Sequence, residues 1–308
     1  MAIDLSQYLV IGVSSRALFD LTEEDRIFRE QGLEAYRRYQ LERENEVLMP
    51  GTSFGLVKAL LRLNAIDQAA RRVEVVIMSR NSSETSLRIF HSIQHYGLDI
   101  TRAALTGGAS LVPYLRAFNV DLFLSRDPDD VARGLQSGTA SALLYDVPSD
   151  VSADVDQIRI AFDGDSVLFS DEADRIYREH GLEAFQAHEI QHAHRPLPEG
   201  PLAKLLKSLA DVRGLEQPSD ATVPSIRTAL VTARNSPAHE RVIRTLMAWG
   251  VTIDETFFLG GMSKHEVLQA FRPHMYFDDH PSHCATAAGG VPTGRVPSYD
   301  DPGTGIGD

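Results

Sequence analysis

The apolar positions of this chain fall into short, almost unbroken runs separated by longer stretches with helical spacing. LVIGV at 9–13, VVIM at 75–78 and DLFLS at 121–125 are matched further on by IRIAF at 158–162, ALV at 229–231 and HMYF at 274–277. Runs of this length, rich in β-branched residues, suit strands covered on both faces. Between them lie segments of about 10 to 15 residues with helical periodicity, which predicts parallel sheets assembled from βαβ units.

The pattern is written twice. Offset by 149 residues, LVIGV falls on IRIAF, and nine of twelve residues are identical between Asp25–Tyr36 and Asp174–Phe185. Arg-Asn-Ser recurs at 80–82 and 234–236, and Gly-Gly at 107 and 260. Self-similarity at a fixed offset must be read before any motif. It predicts an α/β fold of two tandem Rossmann-like halves from an internal duplication, residues 1–149 and 150–308, meeting in the turn-rich segment 146–157. Each half reads strand, helical insertion, strand, helix, strand, helix, strand.

With 308 residues, each half is long enough to bury its own core. The net charge of −13 argues against polymeric nucleic acid or an anionic membrane surface as partner, because both need clustered Lys and Arg. No run approaches the length of a membrane span, and MAIDLSQYLVIGV lacks the basic start of a secretory signal. With a single cysteine, Cys284, the expected compartment is the reducing cytoplasm. The Gly- and Pro-rich end, VPSYDDPGTGIGD, reads as a loose tail.

The halves differ in chemistry. In the second, polar residues stand where strands end, the edge at which open α/β sheets bind ligands. Asp163 and Asp165 follow IRIAF, Thr232 ends ALVT, Lys264 follows a glycine turn, and Asp278 and Asp279 follow HMYF. Carboxylates meeting at one edge repel each other unless a hard cation such as Mg²⁺ sits among them. A lysine and a hydroxyl beside them complete what a phosphate needs. In the first half the matching positions hold Ser14, Arg16, Leu111, Ser125 and Arg126, with Met78 or Ser79 opposite Thr232.

AFDGDSVLFSDE, VTARN, GGMSK and YFDD, in that order, resemble the four motifs of the haloacid dehalogenase (HAD) superfamily. Together with SSRALFD, HYGLDI and TGGAS they resemble, more narrowly, the cytosolic 5'-nucleotidase type I family, over about residues 9 to 295. The resemblance implies an HAD-like fold with a small helical cap inserted at about 171–226. It implies a phosphoric monoester hydrolase acting on nucleoside monophosphates such as AMP. By the same resemblance Asp163 is the nucleophile and Asp165 the general acid and base, with Thr232 and Lys264 holding the phosphoryl oxygens. Mg²⁺ would lie among Asp163, Asp165 through its main-chain carbonyl, and Asp278 or Asp279. Ser14, Ser15 and Arg16 are candidates for a nucleotide effector or for substrate recognition, against the plainer reading that this half only packs. Self-association is a further expectation for tandem proteins of this kind.

Other readings compete. Another small phosphomonoester could replace the nucleotide as substrate. Thr232 alone would suit an N-cap for a helix starting near Pro237. Arg234 and Asn235 recur as Arg80 and Asn81 in the half lacking the catalytic set, so they carry no assigned role. HEIQH at 188–192 matches the HExxH zinc-peptidase pattern, although Tyr39 and Arg43 stand opposite its histidines and no third ligand is evident. Phe185, His188, His192 and His194 are candidates for closing the cap over a ligand. DGDSVLFSDEAD fails as an EF-hand loop at Leu168, where glycine is needed. The Gly260–Gly261 pair does not form a dinucleotide fingerprint.

Overall fold

A computed structural model of the protein describes residues 4–66, 71–146, 157–214 and 225–298. Two compact units divide these residues, the first covering 4–146 and the second 157–298. Most of the turn-rich segment between the halves, part of the cap stretch (215–224) and the tail from 299 onward lie outside the described residues.

In the first unit, strands β1 (Leu9–Val13), β2 (Val73–Ser79), β3 (Arg102–Leu105), β4 (Leu122–Ser125) and β5 (Ser141–Leu144) lie in the order β3-β2-β1-β4-β5. Their neighbours pair in parallel. In the second, β6 (Ile158–Phe162), β7 (Ile226–Thr232), β8 (Glu255–Phe258), β9 (Met275–Asp278) and β10 (Thr293–Arg295) lie in the order β10-β9-β6-β7-β8, again parallel. The strand order is thus the same in both. β1, β2 and β9 are buried at every position, which is why LVIGV, VVIM and MYF within them read as continuous apolar runs rather than alternating ones. Val76, Leu115 and Phe123 centre one core; Val231, Leu268 and Phe271 centre the other.

Local features repeat as well. Between β1 and β2 two helices, Thr22–Gln31 and Leu33–Glu42, meet at Gly32 (φ 84°, ψ 179°). Between β6 and β7 the helical segment Glu172–Gln191 breaks at Gly181 (φ 80°, ψ −177°). Only glycine occupies that region of backbone space readily. Gly51 and Gly200, also 149 apart, are fixed by space: a Cβ at Gly200 would lie 2.3 Å from the Phe169 carbonyl oxygen, and one at Gly51 2.8 Å from the Ala17 oxygen. Within the cap stretch, Glu172–Gln191 and Ala203–Gly214 are helical, and the residues between them are turns and irregular chain.

Candidate active site

β6 is buried and ends at Asp163, whose backbone N–H donates to the Phe277 carbonyl of β9 at 2.7 Å. The chain then makes a tight turn, Gly164–Leu168, in which Asp165 is extended and Ser166 takes a left-handed conformation (φ 61°). A non-glycine residue there costs on the order of 1 kcal/mol or more. It is held by the Ser166 hydroxyl donating to Asp174 at 2.8 Å. The turn separates the two aspartates: Asp163 faces β9, while Asp165 faces the residues after β7.

Asp163, Asp278 and Asp279 each present a carboxylate oxygen within 4.8 Å of the others. Lys264, buried at the start of the helix His265–Phe271, bridges two of them, 2.8 Å from Asp163 and 2.7 Å from Asp278. Asp278 is fully buried and also accepts from the Tyr276 hydroxyl and, at 2.8 Å, from the His280 backbone N–H. Burial pushes the Asp163 carboxyl up to about 7, Lys264 opposing and Asp278 adding to the rise. Asp279 is pushed up to about 8, by burial first and then by Asp163 and Asp278. Burial opposes the charge on Lys264, but the same two carboxylates outweigh it and raise its pKa. Oxygen-only donors that are too crowded to ionise freely are a donor set a hard divalent cation relieves. The residues therefore fit a hard divalent cation.

Asp165 does not join this group through its side chain. Arg234 grips it with two bonds of 2.7 Å from Nε and Nη2. The same guanidinium reaches Glu189 on the cap segment, and Glu189 also accepts from Arg241 at 2.8 Å. Glu189 is completely buried; burial alone would raise its carboxyl, but Arg234 and Arg241 outweigh it and hold it below the usual range. Phe185 lies under the Arg234 guanidinium, 5.4 Å from ring centroid to Cζ. Thr232 closes β7 with its hydroxyl accepting from the Arg234 backbone N–H at 3.2 Å. A Cβ on Gly164 would meet that hydroxyl at 3.3 Å, so the turn after β6 and the end of β7 are adjacent.

Of the residues singled out by sequence, Asp163, Lys264, Asp278 and Asp279 therefore come together, Thr232 stands beside their turn, and Asp165 is diverted to Arg234. The N-cap reading of Thr232 is corrected: the helix His239–Trp249 starts after Ala238 and has no side-chain cap. The zinc-peptidase reading of HEIQH is also corrected, because its glutamate is enclosed by two arginines and cannot serve as a base. His188 and His192 stack on each other, centroids 4.2 Å apart, with His188 Nδ1 3.2 Å from Glu189. Arg234, Glu189 and Tyr276 were missed. Arg234 carried a signal, its recurrence as Arg80, but there the arginine pairs with Asp127 and Asp130 instead.

A family model described as 5'-nucleotidase matches residues 1–301. The chain belongs to the 5'-nucleotidase family. It is 39% identical over 282 residues to cytosolic 5'-nucleotidase 1B of Homo sapiens, an overlap covering 89% of this chain and 46% of that protein. The chain thus spans about half the length of the curated relative it matches. No solved structure matches it. The resemblance read from the motifs is borne out at the level of the 5'-nucleotidase family. Among the described residues of this 5'-nucleotidase-family chain, no helix is long and apolar enough to cross a membrane.

The strand register aligns the two units of the 5'-nucleotidase-family chain position by position. Val13 pairs with Ile77 as Phe162 pairs with Leu230, so Ser79 occupies the place of Thr232. By the same count Ser125 stands where Asp278 does and Leu111 where Lys264 does. The choice between Met78 and Ser79 is thereby decided.

Proposed function

We propose that the chain is a Mg²⁺-dependent 5'-nucleotidase that releases phosphate from nucleoside 5'-monophosphates, with the chemistry confined to the second unit. One observation carries this reading: three carboxylates converge within 4.8 Å at the C-terminal ends of β6 and β9, and a buried lysine bridges two of them.

Asp163 attacks the phosphorus in line, forming an aspartyl phosphate while the P–O5' bond breaks. Asp165 takes up a proton from solvent as it leaves an Arg234 contact for the ester oxygen, passes that proton to the departing oxygen, and regains one from the water that attacks the aspartyl phosphate. Thr232 and Lys264 hold the phosphoryl oxygens, and positioning and fixed charge do most of the work. Asp163, Asp278, Asp279 and the Asp165 carbonyl would hold Mg²⁺, which neutralises charge on the phosphoryl oxygens when bound. Arg234 positions Asp165, and Glu189 anchors Arg234 to the cap.

The first unit, in this reading, is a duplicated copy that has lost the chemistry. Its support is the common strand order, the matched glycine breaks at Gly32 and Gly181, and Ser14, Leu111 and Ser125 at the catalytic positions. The test is phosphate release from a panel of nucleoside monophosphates and simple phosphomonoesters, with and without Mg²⁺. Asp163→Asn is expected to abolish turnover while keeping the fold. A variant retaining more than about a tenth of the rate, a barrier change of only about 1.4 kcal/mol, would rule out this nucleophile.

A further inference from the structure

The first unit holds a cavity of about 730 Å³ at the C-terminal ends of its strands, within the size range of small-molecule sites. Ser14 after β1, Ser79 ending β2, Gly107 and Gly108 after β3 and Ser125 ending β4 form its floor. One wall is apolar. Phe28, half exposed, meets Tyr36 edge to face with ring centroids 5.8 Å apart, and Leu33 beside it is 60% exposed. The floor offers donors and acceptors: the Ser15 and Ser79 hydroxyls lie 3.1 Å apart, and the buried Asn81 side-chain nitrogen has no hydrogen-bond partner among the described residues.

Charge decides what this cavity accepts. Its lining carries three arginines against six carboxylates. Each arginine is already engaged: Arg16 with Asp25 at 2.9 Å, Arg37 with Glu84 at 2.7 Å, and Arg80 with both Asp127 and Asp130. An incoming phosphate reaches the remaining N–H groups of these guanidiniums only beside their carboxylate partners, in a lining where carboxylates outnumber arginines two to one, and is repelled. An uncharged ligand meets no such obstacle. A ring for stacking, hydroxyl-bearing neighbours and no free positive charge describe a site for a neutral, aromatic, polyhydroxylated molecule.

We propose that this cavity binds a nucleoside and discriminates against its phosphorylated forms. Arg16, a sequence candidate for a nucleotide effector or for substrate recognition, disfavours a nucleotide in this reading through its pair with Asp25. The nucleoside is also what the proposed hydrolysis releases; that link rests on the hydrolysis reading, whereas the selectivity of the cavity does not.

The test is hydrogen–deuterium exchange on the full chain with adenosine or adenosine diphosphate, because it reports each unit separately. Adenosine is expected to protect residues 14–37 and 78–85, and Phe28→Ala, at a half-exposed position that spares the core, to weaken that protection by about tenfold in apparent affinity. Asp25→Asn, which frees Arg16, is expected to shift the preference toward the diphosphate. Absence of adenosine protection in the first unit overturns the proposal, as does stronger protection by the diphosphate in the unaltered chain, or an unchanged preference in Asp25→Asn. Loss of turnover in Asp163→Asn is independent of all three outcomes, so either reading can fail alone.

Discussion

On the proposed mechanism, removing the charge of Glu189 tests how the helical segment Glu172–Gln191 is coupled to Asp165. Its carboxylate is completely buried between Arg234 and Arg241, which are themselves almost fully buried. Deleting one partner of such a pair costs about 3–5 kcal/mol, because the other charge stays in a poor dielectric. Each arginine keeps a second carboxylate here, Asp165 for Arg234 and Glu172 for Arg241. The lower end, about 3 kcal/mol, is therefore expected for Glu189→Ala, a drop of about 6–12 °C in melting temperature for a unit of this size. Glu189→Gln keeps the shape and one acceptor and is expected to lose less. The catalytic effect is separate: once Arg234 is released from the cap, Asp165 is no longer fixed, and displacement of such a group by about 1 Å costs roughly 100-fold in rate. Phosphate release well below the melting temperature reads this as a fall in kcat with little change in KM. If Glu189→Gln keeps full kcat, Arg234 does not position Asp165 through the cap; if Glu189→Ala melts with the unaltered protein, the buried network contributes nothing.

Three further outcomes are expected. Lys264→Ala removes the cation bridging Asp163 and Asp278, and phosphate release should fall by about 100-fold or more, since fixed charge at the transferring group is lost; a rate within threefold of the unaltered protein would assign the phosphoryl contact elsewhere. Metal-free protein should lose stability as pH rises. Asp163 and Asp279 are raised in the fold from about 3.8 to about 7 and about 8, so their contribution is complete below pH 4 and is lost on the way to pH 8. Mg²⁺ should flatten that slope in thermal melts, and equal slopes with and without the ion would contradict the donor set. Gly200→Ala places a methyl group 2.3 Å from the Phe169 oxygen and 2.6 Å from that of Val167, so a loss of about 1–3 kcal/mol is expected in denaturant titration; an unchanged midpoint would mean the backbone yields freely there.

The strands were legible because burial on both faces leaves little room for polar residues, as in LVIGV and IRIAF. The acidic group was legible because its members stand at strand ends, where parallel topology delivers them to one edge. What could not be read was pairing across the chain. Arg234 reaches Asp165 over 69 positions and Glu189 over 45, and nothing local to VTARN or HEIQH records those distances. The recurrence of the arginine as Arg80 pointed away from function, because a residue kept in both copies looks structural. HEIQH matched a metal motif by composition, but its glutamate faces inward to two guanidinium groups rather than outward to water.

The break at Gly181 has a geometric consequence. Glu172 and Glu189 are 17 residues apart, about 25 Å along an unbroken α-helix. Yet both carboxylates touch the one guanidinium of Arg241, at 3.2 and 2.8 Å. A straight rod could not bring its two ends to a single side chain. The glycine elbow folds the segment back like a pair of tongs, and the arginine between the tips keeps them shut.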